Sequence, residues 1–147
     1  MGLNEQLDLV ARIVLGAVLG YQIGLERAFR GKDAGDRTFA LLALGSAAFV
    51  GLGIELFPDS ADRVIQGVAA GVGFLGAGVI FRSEHGTRGL TTAAASWAAA
   101  SIGSLAGAGI WLAATAITVL TLLVLEAHQV GFLERLGRPA DSEEGSD

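Results

Sequence analysis

The sequence predicts an all-α membrane protein, a bundle of about five transmembrane helices with its N-terminus outside and its C-terminus inside. Three observations support this fold class. The chain of 147 residues is 52% hydrophobic, with a mean hydropathy of +0.55. Its apolar residues gather into runs close to the ~20 residues that cross a bilayer. The basic residues between those runs fall mostly on one side of the membrane, which sets the orientation.

The apolar runs are separated by short polar segments. They cover residues 7–25, 38–57, 64–81, 90–105 and 110–125. Pro58 and its polar neighbours stop the second run, and an uncharged turn at 103–109 divides the fourth run from the fifth. One long bent helix over 90–125 is the alternative for the last two runs.

Loop charge predicts the orientation. Only Arg12 and Arg63 lie on the side of the N-terminus, whereas eight basic residues follow the first, third and fifth runs. These eight are Arg27, Arg30, Lys32, Arg37, Arg82, Arg88, Arg135 and Arg138. Because Lys and Arg of short loops remain in the cytoplasm, these loops are expected inside.

The chain has room for one transmembrane domain, residues 1–130, and a short cytoplasmic tail, 131–147, acidic and disordered at its end. Four of the 15 acidic residues lie in the last seven positions, and the other 11 nearly balance the 10 basic residues. The net charge of −5 therefore belongs mainly to the tail. No basic stripe points to nucleic acid as a partner.

Glycine spacing predicts the packing of the helices. Gly16, Gly20 and Gly24 repeat every four residues in the first run, which allows close approach of a neighbouring backbone. The third run contains Gly67, Gly71, Gly73, Gly76 and Gly78. We predict that the first, third and fourth helices form the interior and that the fifth faces lipid. We also predict a homo-oligomer, a dimer favoured, through the glycines of the first helix.

Polar residues at membrane depth need a partner or a purpose. One interpretation is an intramembrane network in which Arg12 pairs with Asp62 and Gln66 extends the pair. The alternative is that Arg12 extends to the lipid headgroups.

The charged inner face is the predicted functional site. Two helices begin there, each near an arginine and a hydroxyl that can cap it, and such helix ends bind anions. The candidate residues are Glu26, Arg27, Arg37, Thr38, Arg82, Arg88, Thr91 and Thr92. A lipid phosphate, a dedicated ligand or acidic partner group, and simple positive-inside charge are the three interpretations.

Catalytic and metal-binding patterns are missing from the sequence. There is no cysteine, and His85 and His128 have no neighbours at metal-ligand spacing. A G-x-G-x-x-G match at 71–76 lacks the strand and ribose contact of a dinucleotide site. We therefore predict no enzyme, no catalytic residue and no resident metal or cofactor. A bound lipid or anion is compatible with the inner face, and magnesium is left open.

The inner-face motifs resemble a known family. Residues 19–27, LGYQIGLER, and 34–38, AGDRT, resemble the opening signature of the MgtC/SapB family. Residues 71–80, GVGFLGAGVI, and 88–94, RGLTTAA, resemble its second block, and Trp97 and Gly103 also fit. Asp36 departs from the pattern, which usually has an apolar residue there.

The resemblance implies a multi-pass protein of the bacterial inner membrane, linked to magnesium homeostasis and virulence. It implies regulation of a membrane partner such as the F-type ATP synthase. Many members carry a cytoplasmic ACT-like domain, for which the ~20 residues after the fifth run leave no room.

The alternative function is a small transporter or channel for magnesium or another ion. The basis of this alternative is the glycines of the first and third helices, which permit a broken helix around a substrate site. A magnesium path needs several oxygen ligands, and Glu26, Glu55 and Glu126 all lie at helix ends. A regulatory membrane module is therefore favoured.

Overall fold

The computed structural model describes residues 1–83 and 86–127, which form five α-helices, one short 3₁₀ helix and a two-stranded hairpin. The helices are α1 (Leu3–Phe29), α2 (Asp36–Leu56), α3 (Ala61–Val79), α4 (Leu90–Gly107) and α5 (Trp111–Ala127). The 3₁₀ helix is Pro58–Ser60, between α2 and α3. The predicted division into fourth and fifth helices is confirmed. The predicted tail, 131–147, and His85 and His128 lie outside the described residues.

Two of the described helices, α1 and α2, are long and apolar enough to cross a membrane. The 27 residues of α1 rise by about 40 Å, which exceeds the ~30 Å hydrocarbon core. Helix α5 is also apolar but has only 17 residues. Helix α1 ends at Phe29, and Gly31, two residues later, has a φ of 63°, a conformation that glycine adopts readily.

The interior of the bundle is formed by α1, α2 and α4. Fully buried side chains include Ile23 of α1, Phe39 and Ala43 of α2, and Ala99 and Ile102 of α4. By contrast, α3 and α5 lie at the periphery, and α3 has only two buried residues, Val72 and Gly76. The prediction of α3 in the interior was therefore wrong, and α2 occupies that place.

Glycine allows α1 and α2 to approach closely. A Cβ on Gly20 would lie 2.5 Å from both the Cβ of Ala43 and the carbonyl oxygen of Phe39, and one on Gly16 would lie 3.0 Å from the Cβ of Ala47. Further along α1, a Cβ on Gly24 would lie 2.5 Å from the Cα of Asp36. The glycines of α1 are thus covered by α2 of the same chain, so the surface predicted to join two copies is not free.

The other face of α2 packs against α4 in the same manner. Gly103 and Gly107 of α4 lie directly on the backbone carbonyls of Ala43 and Ala47. Since the residue numbers rise together along this contact, α2 and α4 are parallel, and α1 is antiparallel to both. Small residues on both helices permit this backbone contact.

The glycines of α3 are packed less closely than those of α1. Gly76 contacts Ala93 of α4, with 3.6 Å from the built Cβ to the Cβ of Ala93. At Gly67, Gly71, Gly73 and Gly78, no atom of another described element lies within 4 Å of such a Cβ. The predicted packing role is therefore wrong for these four within one chain. Helix α3 is nevertheless continuous from Ala61 to Val79, and so is not broken at its glycines.

A β-hairpin between α3 and α4 was not predicted. Strands β1 (Phe81–Ser83) and β2 (Gly86–Arg88) pair antiparallel, with Phe81 opposite Arg88. Gly89, the N-cap residue of α4, has a φ of 87°, and a Cβ there would collide with the backbone of Val79. The left-handed conformation and the close backbone both require glycine here.

Candidate functional site

The charged end of the bundle, called the basic end below, is where α1, α3 and α5 finish and α2 and α4 begin. Its central feature is a buried ion pair between consecutive residues of α1. The side chains of Arg27 and Glu26 are only 5% and 8% exposed. Arg27 Nη2 donates to Glu26 Oε1 at 2.7 Å, and Arg27 Nε donates to Glu26 Oε2. This two-bond geometry suits a buried guanidinium and carboxylate, since either alone would be costly to desolvate.

Two further charges extend the ion pair to α5. The Nε of Arg30 lies 3.2 Å from Glu26 Oε1, and its Nη2 donates to Glu126 Oε2 at 2.6 Å. The hydrogen bond with Glu126 raises the pKa of Arg30, which is charged in any case. The resulting network of two arginines and two glutamates joins the end of α1 to the end of α5.

Arg30 and Glu126 were not predicted as members of this network. The spacing of Glu26 and Arg30, four residues apart on a helix, is a signal for one of the contacts. The contact between Arg30 and Glu126 joins residues 96 positions apart, and only the fold brings them together.

The other predicted residues of the inner face divide by exposure. Arg37, Thr38, Arg88 and Thr91 are exposed, whereas Thr92 is buried. For Arg82 only the backbone position, in β1, is described. Neither the guanidinium of Arg37 nor that of Arg88 forms an ion pair with a carboxylate of the described residues, so both are available to a ligand or partner.

The predicted hydroxyl caps are wrong. The residues at the N-cap positions of α2 and α4 are Gly35 and Gly89, and neither helix has a side-chain cap. Thr38 and Thr91 come after the cap position, inside the first turn. Close packing requires glycine at position 89, where a Cβ would collide with the backbone of Val79, whereas a Cβ on Gly35 would lie 3.4 Å from the Cβ of Ala28, an ordinary contact.

The opposite end contains a second cluster, centred on Arg12. Arg12 pairs with Asp8, its neighbour one turn earlier, and its Nη1 lies 3.5 Å from both Glu55 Oε1 and the carbonyl oxygen of Gly107. The predicted pairing with Asp62 is therefore wrong, and Asp62 and Gln66 are exposed on α3. The physical reason is that α1 lies beside α2 and α4, while α3 is peripheral.

Within the described part of the chain, no group of three or more acidic or histidine side chains is placed to hold a metal. Every buried side-chain nitrogen and oxygen there has a hydrogen-bond partner. The buried charges of α1 are thus used in ion pairs, whereas Lys32, Arg37 and Arg88 at the basic end form none with a described carboxylate; of these, the two arginines carry the candidate site.

Comparison with known proteins identifies relatives. The model of the MgtC family matches residues 13–131. SrpB of Synechococcus elongatus is 43% identical over 141 residues, covering 86% of this chain and 78% of SrpB. MgtC of Salmonella typhimurium is 45% identical over 127 residues, covering 84% of this chain and 53% of MgtC.

A further relative is YhiD of Escherichia coli K12, whose name proposes a magnesium transporter. It is 39% identical over 135 residues, covering 85% of this chain and 63% of YhiD. The chain spans about half the length of MgtC and less than two thirds of YhiD. No solved structure matches the chain.

Proposed function

Because the chain belongs to the MgtC family, we propose that this membrane protein is a non-enzymatic regulator of another membrane protein. The observation that carries the proposal is the closed packing of α1, α2 and α4. Gly20 and Gly103 both contact the backbone of α2, and the side chains of Phe39 and Ile102 are fully buried, so the centre of the bundle is filled. A packed centre favours a module that acts through its surface over one that conducts an ion.

The proposed location is the bacterial inner membrane, with five spans, the N-terminus outside and the basic end in the cytoplasm. The alternation of helix directions supports an odd number of spans, and the positive charge of the basic end supports its orientation. The chain has no cysteine, so a single introduced thiol gives an unambiguous label. In intact cells, an impermeant maleimide should label Asp59→Cys and leave Lys32→Cys unlabelled until the cells are opened. The reverse pattern would contradict the orientation.

The partner that the family resemblance suggests is the F-type ATP synthase, in cells adapting to low magnesium. The exposed guanidinium group of Arg88 is the surface we assign to this contact. In inverted membrane vesicles, adding the protein should reduce ATP-driven proton pumping. The variant Arg88→Gln should reduce it less, and the control Arg63→Gln should act like the parent. Equal pumping with and without the parent protein would exclude this partner.

Transport of magnesium or another ion is the alternative, favoured by the name of YhiD. It is tested by purified protein in liposomes loaded with a magnesium-sensitive dye. Uptake that requires the protein and is lost in Glu26→Gln would support transport. No uptake, together with inhibition of proton pumping in the vesicle assay, would support the regulator.

A further inference from the structure

We propose that the groove between α2 and α3 binds an anionic phospholipid, with an acyl chain in the groove and the phosphate at Arg37. This inference goes beyond the regulatory function and does not depend on which protein is the partner. It rests on the shape of the groove, on the register of Arg37 along α2, and on the depth of the groove in the bilayer.

The groove is an apolar cavity of about 510 Å³ that opens at the side of the bundle. Its walls include Leu41, Gly45 and Phe49 of α2, and Gly67, Gly71 and Leu75 of α3. The hydroxyl of Ser46, which also lines it, is used in a hydrogen bond of 2.9 Å to the carbonyl of Leu42 in its own helix. The groove therefore offers hydrocarbon surface and no free side-chain hydrogen bond to an occupant.

Three glycines make the groove deep. At Gly45, Gly67 and Gly71, no atom of another element lies within 4 Å of a built Cβ. Leu41 and Phe49, at the rim, are 67% and 64% exposed. An apolar cleft open to the side of a membrane protein faces hydrocarbon, so its natural occupant is an acyl chain from the surrounding bilayer.

Arg37 lies one helical turn before Leu41, the groove residue nearest the start of α2. Arg37, Leu41, Gly45 and Phe49 follow each other at intervals of four residues, which places them on one face of α2. Arg37 is exposed and forms no ion pair with a described carboxylate. The neighbouring Asp36 accepts the backbone N–H of Arg37 at 2.9 Å instead. A guanidinium that is free at the end of an apolar groove complements the phosphate of a lipid.

The length of the groove along α2 matches the thickness of the hydrocarbon layer of one leaflet. From Leu41 to Phe49 the helix rises by about 12 Å, and one leaflet contributes about 15 Å of the hydrocarbon core. Arg37 lies one further turn out, about 6 Å beyond Leu41, at the level of the headgroups. Lys32 adds exposed positive charge to this end, which favours an anionic headgroup over a zwitterionic one.

The test is native mass spectrometry of the purified full chain with phosphatidylglycerol or phosphatidylcholine. The parent should retain phosphatidylglycerol preferentially. Arg37→Gln should weaken that retention about fivefold, as expected for one cation at an anionic lipid surface, and Lys32→Gln less than twofold. Gly71→Leu, which fills the groove, should weaken the retention of both lipids. Gly73→Leu, on the same helix but outside the groove, should weaken the retention of neither.

Photocrosslinking keeps the proposal testable if Gly71→Leu does not fold. Phosphatidylglycerol with a diazirine in its acyl chain should label peptides containing residues 41–49 and 64–75. Labelling confined to α5, equal retention of the two lipids, or displacement by excess inorganic phosphate would each overturn the proposal. The proposal would also be overturned if a second copy of the chain occupied the groove. That outcome would be seen as a dimer without bound lipid that dissociates in the Gly71→Leu variant.

Discussion

The glycines of α1 and α3 have the same spacing, but those of α1 contact another helix closely and most of those of α3 do not. Substitution by alanine should therefore change the stability of the protein differently in the two helices. In Gly20→Ala, the new methyl group would lie 2.5 Å from both the Cβ of Ala43 and the carbonyl oxygen of Phe39. Neither of these atoms is the end of a flexible side chain, so helices α1 and α2 must move apart. Overpacking of this kind costs about 1–3 kcal/mol.

The matched control is Gly71→Ala, where the methyl group meets no other element. Both substitutions replace a glycine inside a helix by alanine. This replacement by itself stabilises the helix by about 1 kcal/mol. Because this gain is common to both variants, their difference reports packing alone. Gly20→Ala should therefore be less stable than Gly71→Ala by about 1–3 kcal/mol, with Gly16→Ala between them because its closest contact is longer, 3.0 Å.

The assay is reversible unfolding in mixed micelles, followed by the helical circular dichroism signal. The three variants and the parent are compared at the same detergent composition, and the free energy of unfolding is extrapolated to the native micelle. Equal stability of Gly20→Ala and Gly71→Ala would refute the close contact of α1 and α2.

Three further substitutions test the ion pairs and the turn before α4. Glu26→Gln leaves the buried guanidinium of Arg27 without a carboxylate on the same helix turn, and should lower the free energy of unfolding by about 3 kcal/mol in micelles. Arg12→Gln should lower it by ~1 kcal/mol or less, because that side chain is partly exposed; a larger loss than in Glu26→Gln would contradict the burial difference. Gly89→Ala should lower it by at least about 1–2 kcal/mol from backbone conformation alone, and an unchanged value would refute the left-handed turn.

The sequence was sufficient to predict the number of helices because apolar runs and their breaks are local signals. It was not sufficient to identify the packed helices. Gly20 and Gly24 have the same four-residue spacing as Gly67 and Gly71, yet only the first pair is covered. The surface that covers it consists of Ala43 and the backbone of Gly35, Asp36 and Phe39, and no pattern in the sequence marks these positions as contacts.

The candidate site was predictable in part for similar reasons. Glu26 and Arg27 were recognised from their position at the end of an apolar run, and the exposed Arg37 from its place in a loop. The partners of charged residues depend on helix adjacency, which explains why Arg12 was assigned to Asp62 instead of Glu55. The hairpin consists of two strands of three residues each, too short for an alternating pattern.

The parallel contact between α2 and α4 has a consequence for how the chain is made. During synthesis from the N-terminus, α1 and α2 can pair through Gly20 as soon as α2 is complete. Helix α4, which covers the opposite face of α2, is synthesised only after α3. In the interval the backbone carbonyls of Ala43 and Ala47 have no helix against them. Helix α3 must therefore fold without occupying that face, and a ribosome that stalls before α4 would leave an unfinished bundle for quality-control proteases to recognise.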